Sequence, residues 1–168
     1  MSAPDAERDR VLWTAVVESE GRFTGARAAF ITGAADRLAV VHAALGMVPQ
    51  RGTALRLLPS LSVAERQALF GELVRLASVG HADIELVRQA ILSLPRDWVV
   101  ANVEARAEPL LRGGTDEEYR RLLELYVQLD RDLARRLATR AAGHDDADIR
   151  EAGEDFLEHL QARRPADG

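Results

Sequence analysis

The sequence predicts an all-α protein built from repeated helical hairpins. Leucine, alanine, arginine and glutamate, which favour helices, dominate its 168 residues, whereas aromatic residues make up only 5%. With 47% hydrophobic and 29% charged residues, the composition is that of a folded globular protein, and the length suits one domain with its own core. Helical patterns also recur along the chain between glycine-centred breaks, which is the pattern of a repeat protein.

The first quarter of the chain is the least regular part. A helix is predicted over residues 5–19, and one long or broken helix over 25–46, with Gly33 at the possible break. Residues 50–61 look like the second helix of an incomplete first repeat. We therefore assign residues 1–47 to N-terminal capping helices, because a terminal repeat must present a solvated outer face.

The repeats are predicted over residues 48–164, followed by a flexible tail at 165–168. "ALRLLP" and "AILSLP" lie 36 residues apart, and "LELYVQLD" follows in the same position about one period later. Each is followed by a helical pattern, a break ("SVGHAD", "LRGGTD" or "AAGHDDAD") and a second helical pattern. The predicted helices cover approximately residues 62–78, 84–94, 97–112, 116–129, 131–142 and 147–163.

Capping signals support these boundaries. Ser62 with Glu65, and Thr115 with Glu118, have the spacing of capping boxes, in which each side chain binds the other residue's backbone amide. Further N-cap candidates are Asp83, Asp97, Asp130 and one of Asp145, Asp146 or Asp148. Left-handed C-caps are predicted at Gly80, at Gly113 or Gly114, and at Gly143.

The second helices of the hairpins share a sequence pattern. In "ELVRQAIL", "EEYRRLLE" and "ADIREAGE" an acidic or small lead-in is followed by an apolar residue and then by Arg88, Arg120 or Arg150. This pattern resembles the second helix of HEAT-type repeats, and the resemblance covers roughly residues 48–164. It implies a short right-handed α-solenoid of antiparallel helix hairpins, preceded by two or three less regular N-terminal helices.

The resemblance also implies a ladder of ion pairs between neighbouring repeats. Its acids would be Asp83, Asp116 and either Asp145 or Asp146, each bonded to an arginine of a neighbouring repeat. In the middle repeat, Arg120 and Arg121 are both candidates for the ladder arginine. Gly153 replaces the alanine that the pattern expects, at a cost of about 1 kcal/mol in helix stability unless close packing requires it.

The segment "HDDAD" at residues 144–148 could bind a metal ion, since imidazole and carboxylate groups are suitable ligands. It lacks the spacing of a calcium loop, and Arg150 occupies a position where further acids would be needed. An N-cap cluster at the positive end of a helix is the favoured interpretation. His81 and His144 each follow a glycine, so they are predicted to occupy equivalent loop positions rather than one chelate.

The clustered basic residues suggest nucleic-acid binding as an alternative function. Arg131, Arg135, Arg136 and Arg140 fall on one predicted helix, and Trp98 lies in "RDWVV". Residues 81–168, however, carry 19 acids against 13 arginines, a charge that repels phosphates. We therefore favour structural interpretations of these residues. The arginines would form a solvated face neutralised by nearby acids, Asp97 would be an N-cap, and Trp98 would be a packing anchor.

The residue types and motifs that the sequence lacks restrict its possible catalytic activities and its location. The chain has no cysteine and all 22 of its basic residues are arginines, so thiolate nucleophiles, Cys-based zinc sites and catalytic lysines are excluded. Motifs of hydrolases, nucleotide-binding proteins and zinc proteases are absent. We expect a non-enzymatic protein with no catalytic residue, metal or cofactor. The lack of a signal-like or membrane-spanning stretch predicts a cytoplasmic location.

The predicted function is a protein-binding module that acts as an adaptor, scaffold or regulator. The partner, another protein, would bind the groove formed by the second helices, and the predicted partner-binding residues are Arg121, Glu124, Glu151 and Glu154. The alternative is a HEAT-like nucleic-acid-binding or DNA-repair protein that uses the arginine helix and Trp98. A third hypothesis is an assembly subunit that self-associates through apolar residues of the N-terminal helices.

Overall fold

A computed structural model describes residues 3–162, with side chains from residue 5 onward, and the predicted tail at 165–168 lies outside this range. The described residues form ten α-helices and one 3-10 turn, with no β-strand, which confirms the all-α prediction. None of these helices combines the length and apolarity needed to cross a membrane. The helices are α1 (Ala3–Gly33), α2 (Arg37–Gly46), α3 (Val48–Leu57), α4 (Val63–Ala68), α5 (Phe70–Ala77), α6 (Ile84–Leu92), α7 (Arg96–Leu111), α8 (Asp116–Leu129), α9 (Arg131–Ala142) and α10 (Ala147–Ala162).

The chain divides into two compact units, Met1–Ala43 and Ala44–Gly168. In the first unit, α1 runs without interruption for 31 residues, so the predicted helix at 5–19 continues into the next predicted segment. The predicted break at Gly33 is confirmed, since α1 ends there and α2 begins at Arg37.

The second unit contains all six helices predicted between residues 62 and 163, one of them in two pieces. The segment predicted at 62–78 divides into α4 and α5 at Leu69, which has φ −84° and ψ −5°. The Leu69 amide there bonds to the carbonyl of Arg66 at 3.2 Å as well as to that of Glu65 at 3.3 Å, a locally tightened turn between the two helices. Leu69 and Phe70, at this junction, are both buried.

Most predicted N-caps are confirmed, and one is wrong. Both capping boxes form, and the Asp130 side chain accepts hydrogen bonds from two amides of α9. Among the three candidates before α10, Asp146 is the cap, because its Oδ1 accepts from the amides of residues 148 and 149. Asp83 occupies the N-cap position of α6 without a side-chain cap bond, whereas Asp97 is not a cap, because α7 begins at Arg96 after Pro95 and Asp97 lies in its first turn.

The predicted left-handed glycine caps are wrong. Every described glycine has a negative φ. The helices end instead in right-handed turns, such as Ser78 after α5 (φ −86°), Arg112 after α7 (φ −64°) and Gly143 after α9 (φ −96°). Ser78 also bonds through its hydroxyl to the Arg75 carbonyl at 2.9 Å, which satisfies a helix-end acceptor without a left-handed residue.

The core of the second unit lies between helices up to three positions apart in the chain, such as α3 with α6 and α5 with α8. α8 contacts α5, α7, α9 and α10, and its Tyr119 and Tyr126 are among the largest fully buried side chains. α10 packs closely on α9 because Gly153 has no side chain. A Cβ atom there would lie 2.3 Å from the Ala142 nitrogen and 2.7 Å from the Ala138 oxygen. Close packing therefore explains the glycine in place of alanine.

Two loops of the second unit repeat the same local structure. His81 Nδ1 accepts a hydrogen bond from the Asp83 amide at 3.1 Å. His144 Nδ1 accepts one from the Asp146 amide at 3.0 Å. The two histidines therefore have the same role in the loops before α6 and α10, which confirms the prediction of equivalent positions.

Candidate functional site

A groove of about 500 Å³ lies beside α8 in the second unit. Its walls come from α6, α8 and α10, the three helices that the sequence pattern assigned as second helices of the hairpins. The lining residues are Arg88 of α6, Arg120, Glu124, Val127 and Gln128 of α8, and Asp155, Phe156 and His159 of α10.

Arg88 joins α6 to α8 through an ion network. It is only 7% exposed, and its Nη1 donates to Glu85 at 2.7 Å while its Nη2 pairs with Glu124. Glu124 also accepts from Arg121 Nη1 at 3.1 Å. A guanidinium removed from water needs acidic partners, because its desolvation is otherwise uncompensated. The charge of Glu124 therefore stabilises the α6–α8 contact.

A second ion pair joins α8 to α10. Arg120 Nη1 donates to Asp155 Oδ2 at 3.0 Å, and Arg120 Nε lies 3.7 Å from Asp116. Val127 and Phe156 are partly exposed and give the groove an apolar strip between the charged groups. The groove thus combines internally paired charges with accessible apolar surface.

The four predicted partner-binding residues fall into two pairs. Arg121 and Glu124 bond to each other and are half-buried in the Arg88 network. Glu151 and Glu154 are exposed on α10 and are not among the groove-lining residues. Partner binding by these four residues stays a prediction, and the structure gives Glu124 an additional stabilising role.

The aspartate ladder that the resemblance implied takes a different form. Asp116 pairs with Arg120 of its own helix, and Asp146 is occupied as the α10 cap. Arg88 pairs with Glu124 and Arg120 with Asp155, so the acids lie within the following second helix rather than in the loops. Arg150 donates instead to the carbonyls of residues 144 and 145 at 2.8 and 2.7 Å. Asp116 and Asp146 are therefore engaged locally rather than in a ladder.

Arg135, Arg136 and Arg140 of α9 pair with acids, and Arg131 of the same helix donates to the Leu160 carbonyl at 2.5 Å. Arg136 forms two hydrogen bonds of 3.0 Å with Glu104, and Arg140 donates to Glu108 at 2.5 Å. Arg135 pairs with Asp132 at 3.3 Å. Neutralisation of this face was predicted, although two of the acids come from α7 rather than from the flanking loops.

Trp98 and the "HDDAD" segment have structural contacts that match the favoured interpretations. The Trp98 ring packs edge-on against Phe70, with ring centroids 5.0 Å apart, which confirms a packing role. Within residues 144–148, Asp146 caps α10. In the part of the chain that the structure describes, no three histidines or acids are grouped so as to hold a metal ion.

Sequence reasoning missed the apolar strip and the Arg120–Asp155 pair. A signal for part of the groove was present, since Arg120, Glu124 and Val127 have the i, i+4, i+7 spacing of one helix face. The pairing with Asp155 depends on how α10 packs on α8, which local spacing does not report. Comparison of the chain with protein-family models, curated proteins and solved structures finds no match.

Proposed function

We propose that this protein is a non-enzymatic protein-binding module whose second unit holds a segment of another protein in the groove beside α8. The observation that carries the proposal is the partly exposed strip of Val127 and Phe156 between ion pairs that are already satisfied. Paired charges around an apolar strip favour specific recognition, because the strip supplies buried area while the charges penalise mismatched partners.

The proposed architecture is a short right-handed, HEAT-like α-solenoid. Its support is the regular spacing of ion pairs between alternate helices. Pairs on the groove side join residues 36 and 35 positions apart, and pairs between α7 and α9 join residues 32 positions apart. A repeated pairing distance of this kind is what stacked hairpins of about 30–40 residues produce.

The partner that suits the groove is an amphipathic segment with an apolar side chain to cover the strip. Gln128 and His159 are exposed at the edge of the groove and can bond to polar groups of such a segment. Neither side chain belongs to the buried core, so both can be changed without opening a cavity.

The test uses a groove variant, Gln128→Arg with His159→Glu, in a crosslinking pull-down from the source cells. We expect a protein that is retained by the unchanged chain and lost by the groove variant, with the far-UV circular dichroism and melting temperature of the variant nearly unchanged. The replaced side chains are exposed, which is why the fold should tolerate them.

The matched control is Glu151→Arg with Glu154→Arg, which changes two exposed residues of α10 outside the groove. Retention of the partner by this control places recognition in the groove. Loss with the control but not with the groove variant would move recognition to the outer surface of α10. If all three chains capture the same proteins, the groove has no role in recognition.

Self-association through α1 is a second candidate function. Val11, Leu12, Trp13, Val16 and Val17 are all more than half exposed, and Trp13 reaches 68%. Leu12, Trp13, Val16 and Val17 share one side of the helix, and exposed apolar patches of this kind commonly mark contact surfaces. With five acids and four arginines, α1 is nearly neutral, so two copies would repel each other only weakly.

Light scattering of Leu12→Ser with Val16→Ser tests this candidate. We expect the unchanged chain to form dimers or larger assemblies and the variant to shift toward the monomer. Leu92→Ser, which changes an exposed apolar residue of α6, is the control and should leave the assembly intact. A monomeric unchanged chain over the measured concentrations would contradict self-association.

A further inference from the structure

A cavity of about 160 Å³ lies among α7, α8 and α9. Its inner wall is formed by the buried side chains of Leu111, Tyr126 and Leu137. Tyr126 lies on a different face of α8 from Glu124 and Gln128, so this cavity is separate from the groove.

The outer wall of the cavity consists of two ion pairs. Arg136 is bonded to Glu104, and Arg140 to Glu108, each arginine on α9 and each glutamate on α7. These four side chains are between 42% and 56% exposed, so they form the part of the wall that meets solvent. Two positive and two negative charges sum to zero, and each charge already has its partner.

The inner wall carries a hydroxyl group without a partner. Tyr126 is 1% exposed, and its hydroxyl oxygen forms no hydrogen bond with any described residue. Burial raises the pKa of the Tyr126 phenol, and the nearby carboxylate of Glu104 raises it further. Tyr126 and these four charged side chains line the same cavity, and the hydroxyl oxygen has almost no accessible surface, so a ligand reaches it when the exposed Arg136 and Arg140 side chains move.

A buried hydroxyl without a partner is costly, and most such groups in folded proteins are satisfied by protein or by a bound molecule. The cavity is large enough for more than water, since a dry engineered cavity of about 150 Å³ in another protein binds benzene. The ligand must therefore be compact, must offer one hydrogen-bonding group and must present apolar surface to the two leucines.

We propose that this cavity is a binding site for a small uncharged molecule with a compact apolar body and one hydroxyl or carbonyl group, which bonds to the Tyr126 hydroxyl. An ionic ligand is disfavoured because it would have to displace one member of an ion pair and leave the other unpaired. A neutral molecule requires only a shift of the exposed Arg136 and Arg140 side chains.

The test titrates the full chain with phenol and, separately, with benzene, two probes that differ by one hydroxyl group. Binding is followed by the methyl resonances of Leu111 and Leu137. We expect saturable shifts of these resonances with phenol. Because Tyr126→Phe removes one hydrogen bond, it should weaken phenol binding about threefold to tenfold and leave benzene binding nearly unchanged. Tyr126→Phe keeps the ring and its packing.

Leu137→Phe is the second variant, because a larger side chain should fill the cavity and abolish the binding of both probes. Three results would overturn the proposal. The first is the absence of saturable phenol binding, which would leave a cavity for water only. The second is equal phenol affinity in the Tyr126→Phe variant and the unchanged chain. The third is unaltered binding of the probes to a folded Leu137→Phe variant.

Discussion

α1 and α10 both carry clustered apolar side chains, and these side chains have opposite surroundings in the structure. α1 carries five apolar side chains that are more than half exposed, whereas Ile149, Ala152 and Leu160 of α10 are buried. Both helices contain internal glycines. Gly21 has no atom within 4 Å of the position that a Cβ would take, while Gly153 faces the backbone of α9.

The difference teaches that an apolar stripe predicts a helix face but not what covers it. α10 has α9 and α8 as packing partners within its own unit. Isolated helices depend mainly on tertiary contacts for their stability, and the exposed apolar side of α1 is the surface that the proposed self-association would cover.

The largest expected effect is that of Gly153→Ala. The new methyl group would meet the Ala142 nitrogen at 2.3 Å, and backbone atoms cannot move aside as a flexible side chain can. We expect a loss of about 1–3 kcal/mol in the free energy of unfolding, despite alanine's higher helix propensity. Urea denaturation monitored by circular dichroism measures this change in the free energy of unfolding. A more stable variant would show that α9 and α10 are less closely packed than described.

Asp146→Ala should have the next largest effect. The Asp146 Oδ1 accepts from the amides of Asp148 at 2.9 Å and Ile149 at 3.2 Å, and removing such an N-cap costs about 1 kcal/mol. Asp145→Ala is the matched control in the same loop and should change the unfolding free energy by less than about 0.5 kcal/mol. Equal losses in the two variants would mean that the loop acids act through overall charge rather than through one cap.

Local chemistry made much of this fold predictable. The capping boxes at Ser62 and Thr115 follow from residue type and spacing alone, and so do most helix positions. The pairing of Arg120 with Asp155 depends on packing between distant segments. The predicted groove residue Glu124 illustrates this limit, because its surface position is readable from the helix pattern whereas its pairing with the buried Arg88 is not.

The smallest expected effect, and the sharpest contrast with Gly153, is that of Gly21→Ala in α1. Since nothing surrounds this position, the substitution should only restrict the unfolded chain and stabilise the helix by about 0.5–1 kcal/mol. A stabilisation of this size should slow amide hydrogen exchange about two- to fivefold in the helical turns around residue 21 of the full chain. Faster exchange would show that another surface lies against Gly21 in solution, and would give α1 the kind of close contact that α10 has.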